Sequence, residues 1–439
     1  MYDFVLVNPW IYDFAAYDLW ARPFGLLRLG ALLRREGYRI AFLDCLDPFH
    51  PELPRFPKRK LYGTGHYYRE KRPKPVFLRD VPRHFARYGL PTALFLKELQ
   101  KIGKPKAFLV TSLMTYWYPG VVEVVRLLQK SYPEVPVLVG GIYVRLCREH
   151  AASVLREAVL VTETEEEKIL SFLKDLVPPS GEDAPHPFPA FDLQRRIPYV
   201  VVATSLGCPF SCKYCASRFL QPFFKEFSPE EIVAEIEFWH HTYGVKDFAF
   251  YDDALLVNFD RRLGPILEAI LQKGLELRFH TPNAMHVRFL TRERAALLKR
   301  AGFKTLRLGF ETVNLRRHRE LDDKVEPEEL KEAVAFLREA GFSRKEIGVY
   351  LLWGLPHQDL SEVEASVRFV AEIGAVPYLS EYSPIPQTPL FEEAKRVSRY
   401  PLDEDPLYHN NTIFPCLKDP VWEAIERIKK LAQGLRHTC

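Results

Sequence analysis

Between residues 199 and 381 the chain repeats one pattern six times: a short apolar run, a polar or glycine-bearing turn, then an amphipathic stretch of helical period. The runs are 199–204, 247–251, 276–279, 305–308, 347–352 and 377–381. Short continuous apolar runs suit strands buried on both faces, and strands alternating with helices suit a parallel sheet. Six such units in succession predict a partial (βα)6 barrel of the TIM type. Ser228-Pro-Glu-Glu231 and Ser361-Glu-Val-Glu364 read as capping boxes opening two of its helices. Chemistry on such barrels gathers at the C-terminal ends of the strands. That rule collects Asp252, Asp253, Asn283, Glu311, Gly354 and Gln387 at one mouth, together with the loop after the first run. His280 and His357 also follow strands, and proton handling and simple capping are both open for them.

That first loop carries Cys208, Cys212 and Cys215 within eight residues, in the spacing C-x3-C-x2-C. Thiolates at this density suit a metal, because each is a soft anionic ligand and a short loop turns all three inward. A closed zinc site wants a fourth ligand, and no other Cys or His lies close by in sequence. Three ligands with one position open suit a 4Fe-4S cluster whose fourth iron takes a small molecule. A disulfide framework suits neither the odd number nor a chain of this composition.

The N-terminal part shows a second strand-helix series. Apolar runs at 4–7, 40–43, 107–111, 137–139 and 158–161 alternate with helical patterns at 23–37, 121–130 and 165–176. The expected fold is a doubly wound, Rossmann-like domain over 1–176, whose ligands bind beyond the carboxyl ends of the strands. Ser112, Thr115, Gly140 and Gly141 stand there, small enough for a bulky ligand to approach the backbone. The proline-rich stretch 177–197 reads as a linker, 198–395 as the barrel domain and 396–439 as a tail ending in an amphipathic helix over 421–435.

An unusually long connection, 48–106, separates the second and third N-terminal runs and is rich in Arg, Lys and Tyr. It suits an anionic substrate, a polynucleotide or, as the favoured reading, a solvated excursion wrapping neighbouring structure. Net charge is only +4, too mild to point to nucleic acid. The remaining four cysteines are scattered, and the N-terminus lacks a signal-peptide pattern. No apolar run is long enough to span a bilayer. The expectation is a cytoplasmic protein.

With Tyr214 between the second and third cysteines, the loop resembles the C-x3-C-x-aromatic-C signature of the radical S-adenosylmethionine enzymes. The resemblance implies that Cys208, Cys212 and Cys215 hold a 4Fe-4S cluster whose free iron is chelated by S-adenosylmethionine. One electron then cleaves the sulfonium to methionine and a 5'-deoxyadenosyl radical. It implies that Asp252 or Asp253 meets the methionine amine, that Glu311 reaches a ribose hydroxyl or the amine, and that Gly354 packs on adenine, with Asn283 at the same mouth. The N-terminal domain resembles the cobalamin-binding domain of one class of that family, where Ser112, Thr115, Gly140 and Gly141 would flank the nucleotide tail. Two features depart from that pattern: the D-x-H-x-x-G motif is absent, and Thr162-Glu-Thr-Glu165 stands where glycines are expected. The implied reaction is cobalamin-dependent methyl transfer to an unactivated centre of a small-molecule, lipid or peptide substrate, with an electron donor such as flavodoxin or ferredoxin. Without cobalamin, radical rearrangement, cyclisation or carbon-carbon coupling takes its place, and a non-catalytic iron-sulfur carrier is the rival outside catalysis.

Overall fold

The structure is a computed structural model describing residues 1–181, 183–322, 325–417 and 422–437. The chain divides into two compact units, Met1–Ile197 with Asp403–Ile413, and Pro198–Leu402 with Phe414–Cys439.

The first unit is built on a five-stranded sheet of β1 (Phe4–Asn8), β2 (Ile40–Asp44), β3 (Ala107–Val110), β4 (Val137–Val139) and β5 (Val159–Leu160). All neighbours are parallel, in the order β2-β1-β3-β4-β5. Both faces are covered, which is why the strands read as unbroken apolar runs. Val5, Val7, Phe108 and Val110 pack toward α2 (Thr92–Ile102) and α3 (Tyr118–Ser131). Their neighbours Phe4, Leu6, Ala107 and Leu109 pack toward α1 (Phe24–Arg35) and α4 (Glu166–Leu176). The alternation of strand side chains thus divides one apolar run between two cores.

The stretch expected as a linker is packed onto this unit. Tyr38 Oη donates to the Val177 carbonyl at 2.7 Å, Ala190 N to Leu27 O at 3.0 Å, and Arg34 pairs with Asp192 at 2.8 Å. The unit boundary falls at its end, between Ile197 and Pro198. The long basic connection is also structured: Arg69–Lys71 and Ala86–Tyr88 join Ile11–Asp13 in a small antiparallel sheet. A second piece of expected tail, Asp403–Ile413, belongs to this unit, where Asn410 Nδ2 donates to buried Asp13 at 2.8 Å.

The second unit is the partial barrel. Its parallel strands β6 (Val200–Val202), β7 (Asp247–Phe250), β8 (Arg278–His280), β9 (Phe303–Glu311), β10 (Ile347–Trp353) and β11 (Val376–Glu381) follow in sequential order. No pairing between β11 and β6 closes the ring among the described residues. The capping box at Ser228 and Glu231 opens α5 (Pro229–Tyr243). The box expected at Ser361 is not the cap: α7 (Leu360–Glu372), which follows α6 (Leu263–Gln272), begins at Asp359, whose carboxylate accepts from Ser361 N at 2.7 Å. The final helix, α8 (Trp422–His437), packs Ile425 and Ile428 against Trp353, Val363 and Phe414.

Candidate functional site

The cysteine loop leaves β6 and is held in a fixed turn. Gly207 has φ 79°, and a Cβ there would lie 2.6 Å from the Phe223 carbonyl, so only glycine fits. Lys213 N donates to Leu321 O at 2.9 Å, and Lys213 O accepts from Leu390 N at 3.0 Å. Cys212 is buried, Cys208 half-buried and Cys215 exposed, and none is in a disulfide. Cys215 Sγ accepts from Ser217 N at 3.4 Å.

Tyr214 ties this loop to the end of β9. Its hydroxyl lies 2.8 Å from Glu311 Oε1 and 3.1 Å from Asp322 Oδ2. Burial and then the two carboxylates hold the phenol well above its ordinary pKa, so it stays protonated and donating. Glu311 has φ 65°, in the left-handed region that non-glycine residues avoid, at a register shift between β9 and β10. Strain of this kind collects at functional positions.

The two adjacent aspartates turn opposite ways. Asp252 is buried; its Oδ1 accepts from Thr204 Oγ1 at 2.6 Å and Ser205 Oγ at 2.7 Å, and its Oδ2 from Thr204 N at 3.0 Å. Arg262, 1% exposed, pairs with the same carboxylate at 2.7 Å and donates to the carbonyls of Ala254, Leu255 and Val257. Asp252 is therefore committed to the scaffold. Asp253 accepts from Ser217 Oγ at 2.8 Å and lines a small cavity with Cys208, Gly309, Glu311 and His286. Burial, followed by the Asp252 charge, raises its pKa.

Asn283 braces the end of β7, its Nδ2 donating to Tyr251 O at 2.9 Å. Gly354 has φ 79° and lies under the Phe414 ring, 2.9 Å from where a Cβ would stand. Gln387 also has positive φ, 67°. His280 does not face the mouth: it is fully buried, between Asp247 Oδ1 at 3.1 Å and Thr305 Oγ1 at 3.0 Å, and burial lowers its pKa. His357 is exposed. Arg262, Ser217, Asp322 and His286 belong to this architecture and escaped the sequence reading, because nothing in their local pattern separates them from surface polar residues.

In the first unit, Ser112 is fully buried and donates to Gly140 O at 2.6 Å. A Cβ on Gly141 would lie 2.3 Å from Ser112 O, so Gly141 is needed by the turn itself, whereas Gly140 has only ordinary contacts at 3.5 Å or beyond. Thr115 Oγ1 is 3.0 Å from His409 Nδ1. The two hydroxyls are thus used within the protein.

A strand-end loop of three cysteines outside any disulfide thus stands beside a cavity lined by Cys208 and by two carboxylates, Asp253 and Glu311. Among the described residues no three His, Cys, Asp or Glu side chains are grouped around one metal ion. A cluster places its thiolates on separate irons and does not require such a group.

Residues 202–370 match the family model of the radical SAM superfamily, and this segment of the chain is a radical SAM domain. An uncharacterized methyltransferase from Pyrococcus horikoshii is 28% identical over 218 residues, 47% of this chain and 46% of the relative. The chain's matches thus span about half the length of that relative or less of others, 31% for an anaerobic magnesium-protoporphyrin IX monomethyl ester cyclase from Cereibacter sphaeroides at 25% identity over 43% of this chain. The structure of the radical S-adenosylmethionine methyltransferase TsrM from Kitasatospora setae, with cobalamin and 4Fe-4S cluster bound, superposes with TM-score 0.69 at 16% identity, covering 99% of this chain and 89% of that one. At that identity the likeness is one of fold: an N-terminal α/β domain followed by a radical SAM barrel.

Proposed function

We propose that the chain is a radical S-adenosylmethionine enzyme transferring a methyl group to an unactivated centre. The observation that carries this is the cavity where Cys208, Asp253 and Glu311 meet. The cysteine set fits a 4Fe-4S cluster: three thiols on one tethered loop, free of disulfides, beside that cavity. A bound cluster supplies the electron that cleaves S-adenosylmethionine, and a bound corrinoid supplies a methyl carrier.

This chain's residues do the rest. Cys208, Cys212 and Cys215 would hold the cluster. Asp253, ionised, would take the methionine ammonium, and Ser217 keeps its carboxylate turned to the cavity. Glu311 would receive a ribose hydroxyl or the amine, with Tyr214 fixing its orientation. Gly309 would leave backbone open to the adenine beside Glu311, whereas Gly354 is covered by Phe414, and Asn283 and Asp252 position the strand ends that carry these groups. The 2-1-3-4-5 sheet order supports a corrinoid beyond the carboxyl edge of the first unit, with Gly140 offering open backbone and Ser112, Thr115 and Gly141 shaping it. No histidine is assigned to cobalt. A small-molecule, lipid or peptide substrate, a cytoplasmic setting and a flavodoxin- or ferredoxin-like donor complete the reading; no helix among the described residues is long and apolar enough to cross a membrane.

Oxygen-free reconstitution tests it. Parent protein should bind iron and sulfide in a cluster ratio, and the triple Cys→Ala variant should bind neither. With S-adenosylmethionine, reductant and cobalamin, S-adenosylhomocysteine or 5'-deoxyadenosine should form. Zinc in place of iron, or equal iron in the triple variant, overturns the proposal.

A further inference from the structure

A cavity open to solvent lies in the first unit between the loop after β1 and the basic connection. Its floor is aromatic, with Phe14, Tyr67 and Tyr88 all buried. Its cationic lining is Arg55, Lys58 and Arg69, with His66 among them, and no carboxylate lines it.

The neighbouring acids are engaged elsewhere. Asp13 accepts from Trp117 Nε1 at 2.7 Å and from Asn410. Asp18, fully buried, is paired with Arg22 at 3.3 Å and with Arg59. Glu70 pairs with Arg72 and Arg87 at 2.8 and 2.7 Å. Arg55 and Lys58 are in no ion pair among the described residues. The field is strong enough to act on His66: burial, then Lys60, Arg69, Arg59 and Lys58, lowers its pKa.

The wall is built rather than incidental. Tyr17–Asp18 pairs antiparallel with Gly65–His66, and Arg59 ties the two through Asp18 and the His66 carbonyl, the latter at 3.1 Å. Gly65 has φ 155°, and a Cβ on it would lie 2.6 Å from Lys58 O, so the ribbon is locked against the Lys58 turn. Tyr17 also lines the cavity, and its buried hydroxyl has no hydrogen-bond partner among the described residues.

We propose that this cavity binds a small molecule carrying a phosphate or carboxylate beside a flat ring. Cations with no carboxylate among them recognise the anion, and the aromatic floor takes the ring. The site lies wholly in the first unit and does not rest on the cluster reading.

Calorimetric titration of the full chain, purified without oxygen at low ionic strength, tests this with phenyl phosphate, benzoate and neutral benzyl alcohol. At least one anion should bind, about tenfold or more tighter than benzyl alcohol, and the better anion tells phosphate from carboxylate. Arg55→Ala with Lys58→Ala, both surface positions, should weaken the better anion about tenfold or more. The triple cysteine variant should bind it like the parent, which separates this site from the barrel. Failure of both anions to bind at about 10 mM overturns the proposal, that concentration marking only a few kcal/mol. So does equal binding of benzyl alcohol, an unaffected double variant, or binding of a polynucleotide alone.

Discussion

Asp252 and Asp253 are neighbours of identical chemistry, and their surroundings give them different work. The first is paired with Arg262 inside the scaffold, so Asp252→Ala leaves a buried guanidinium without its carboxylate and should cost about 3–5 kcal/mol. Urea unfolding of the second unit reads that loss. Asp253→Asn keeps shape and removes the charge; it should weaken S-adenosylmethionine binding about tenfold or more while iron content stays at the parent level. Equal losses of iron and stability in both variants would make Asp253 structural as well. Asp44, at the end of β2, offers a pH test. Burial, then the Asp47 charge, pushes its pKa up to about 6 against hydrogen bonds from Asn8 and Leu46. The folded state therefore holds this proton more tightly than the unfolded chain, so stability falls as pH rises from about 4 to about 6 and is flat above. Both hydrogen bonds fall on Oδ1, which an amide keeps. Asp44→Asn should be more stable than the parent by up to about 3 kcal/mol at neutral pH, with no gain near pH 4, measured by urea midpoints.

At the level of elements, strand ends and caps do the positioning. β9 breaks register with β10 at Glu311, and that shift turns its carboxylate toward Tyr214. The last helix, α8, is anchored by apolar packing and by its cations: Lys429 reaches Glu381 at 2.7 Å, and Arg436 stacks on Tyr378 and donates to Pro377 O at 3.0 Å. Ile428→Ala, in the core with Trp353 and Phe414, should cost about 2–5 kcal/mol in unfolding of the second unit. An unchanged midpoint would show that the helix does not contribute to the barrel's stability.

For the whole molecule, the chain builds two compact units, and the proposed cluster belongs to only one. Removing iron by chelation should raise hydrogen exchange in the loop after β6 and in β6 and β7, and leave β1 and β3 of the first unit unchanged. Equal change in both units would contradict a cluster held by the second unit alone. The first unit is also discontinuous in sequence, because Asn410 and His409 return to Asp13 and Thr115.

The amino-acid order alone determined the strand-helix series in both parts, the sites of the barrel's strand ends and the cysteine loop, because periodicity and motif spacing are local properties that survive in one dimension. The helix Tyr118–Ser131 was legible for the same reason, from the helical period over 121–130. Only the tertiary structure decided which aspartate faces the cavity, since adjacent side chains at a strand end point to opposite sides and the partner, Arg262, carries no local mark of burial. It alone returned Asp403–Ile413 to the first unit and packed 177–197 onto it, because a proline-rich stretch reads the same whether it is solvated or docked. And it alone set the basic residues Arg55, Lys58, His66 and Arg69 over Phe14 and Tyr88, since the pairing of Tyr17–Asp18 with Gly65–His66 leaves no local mark in the sequence.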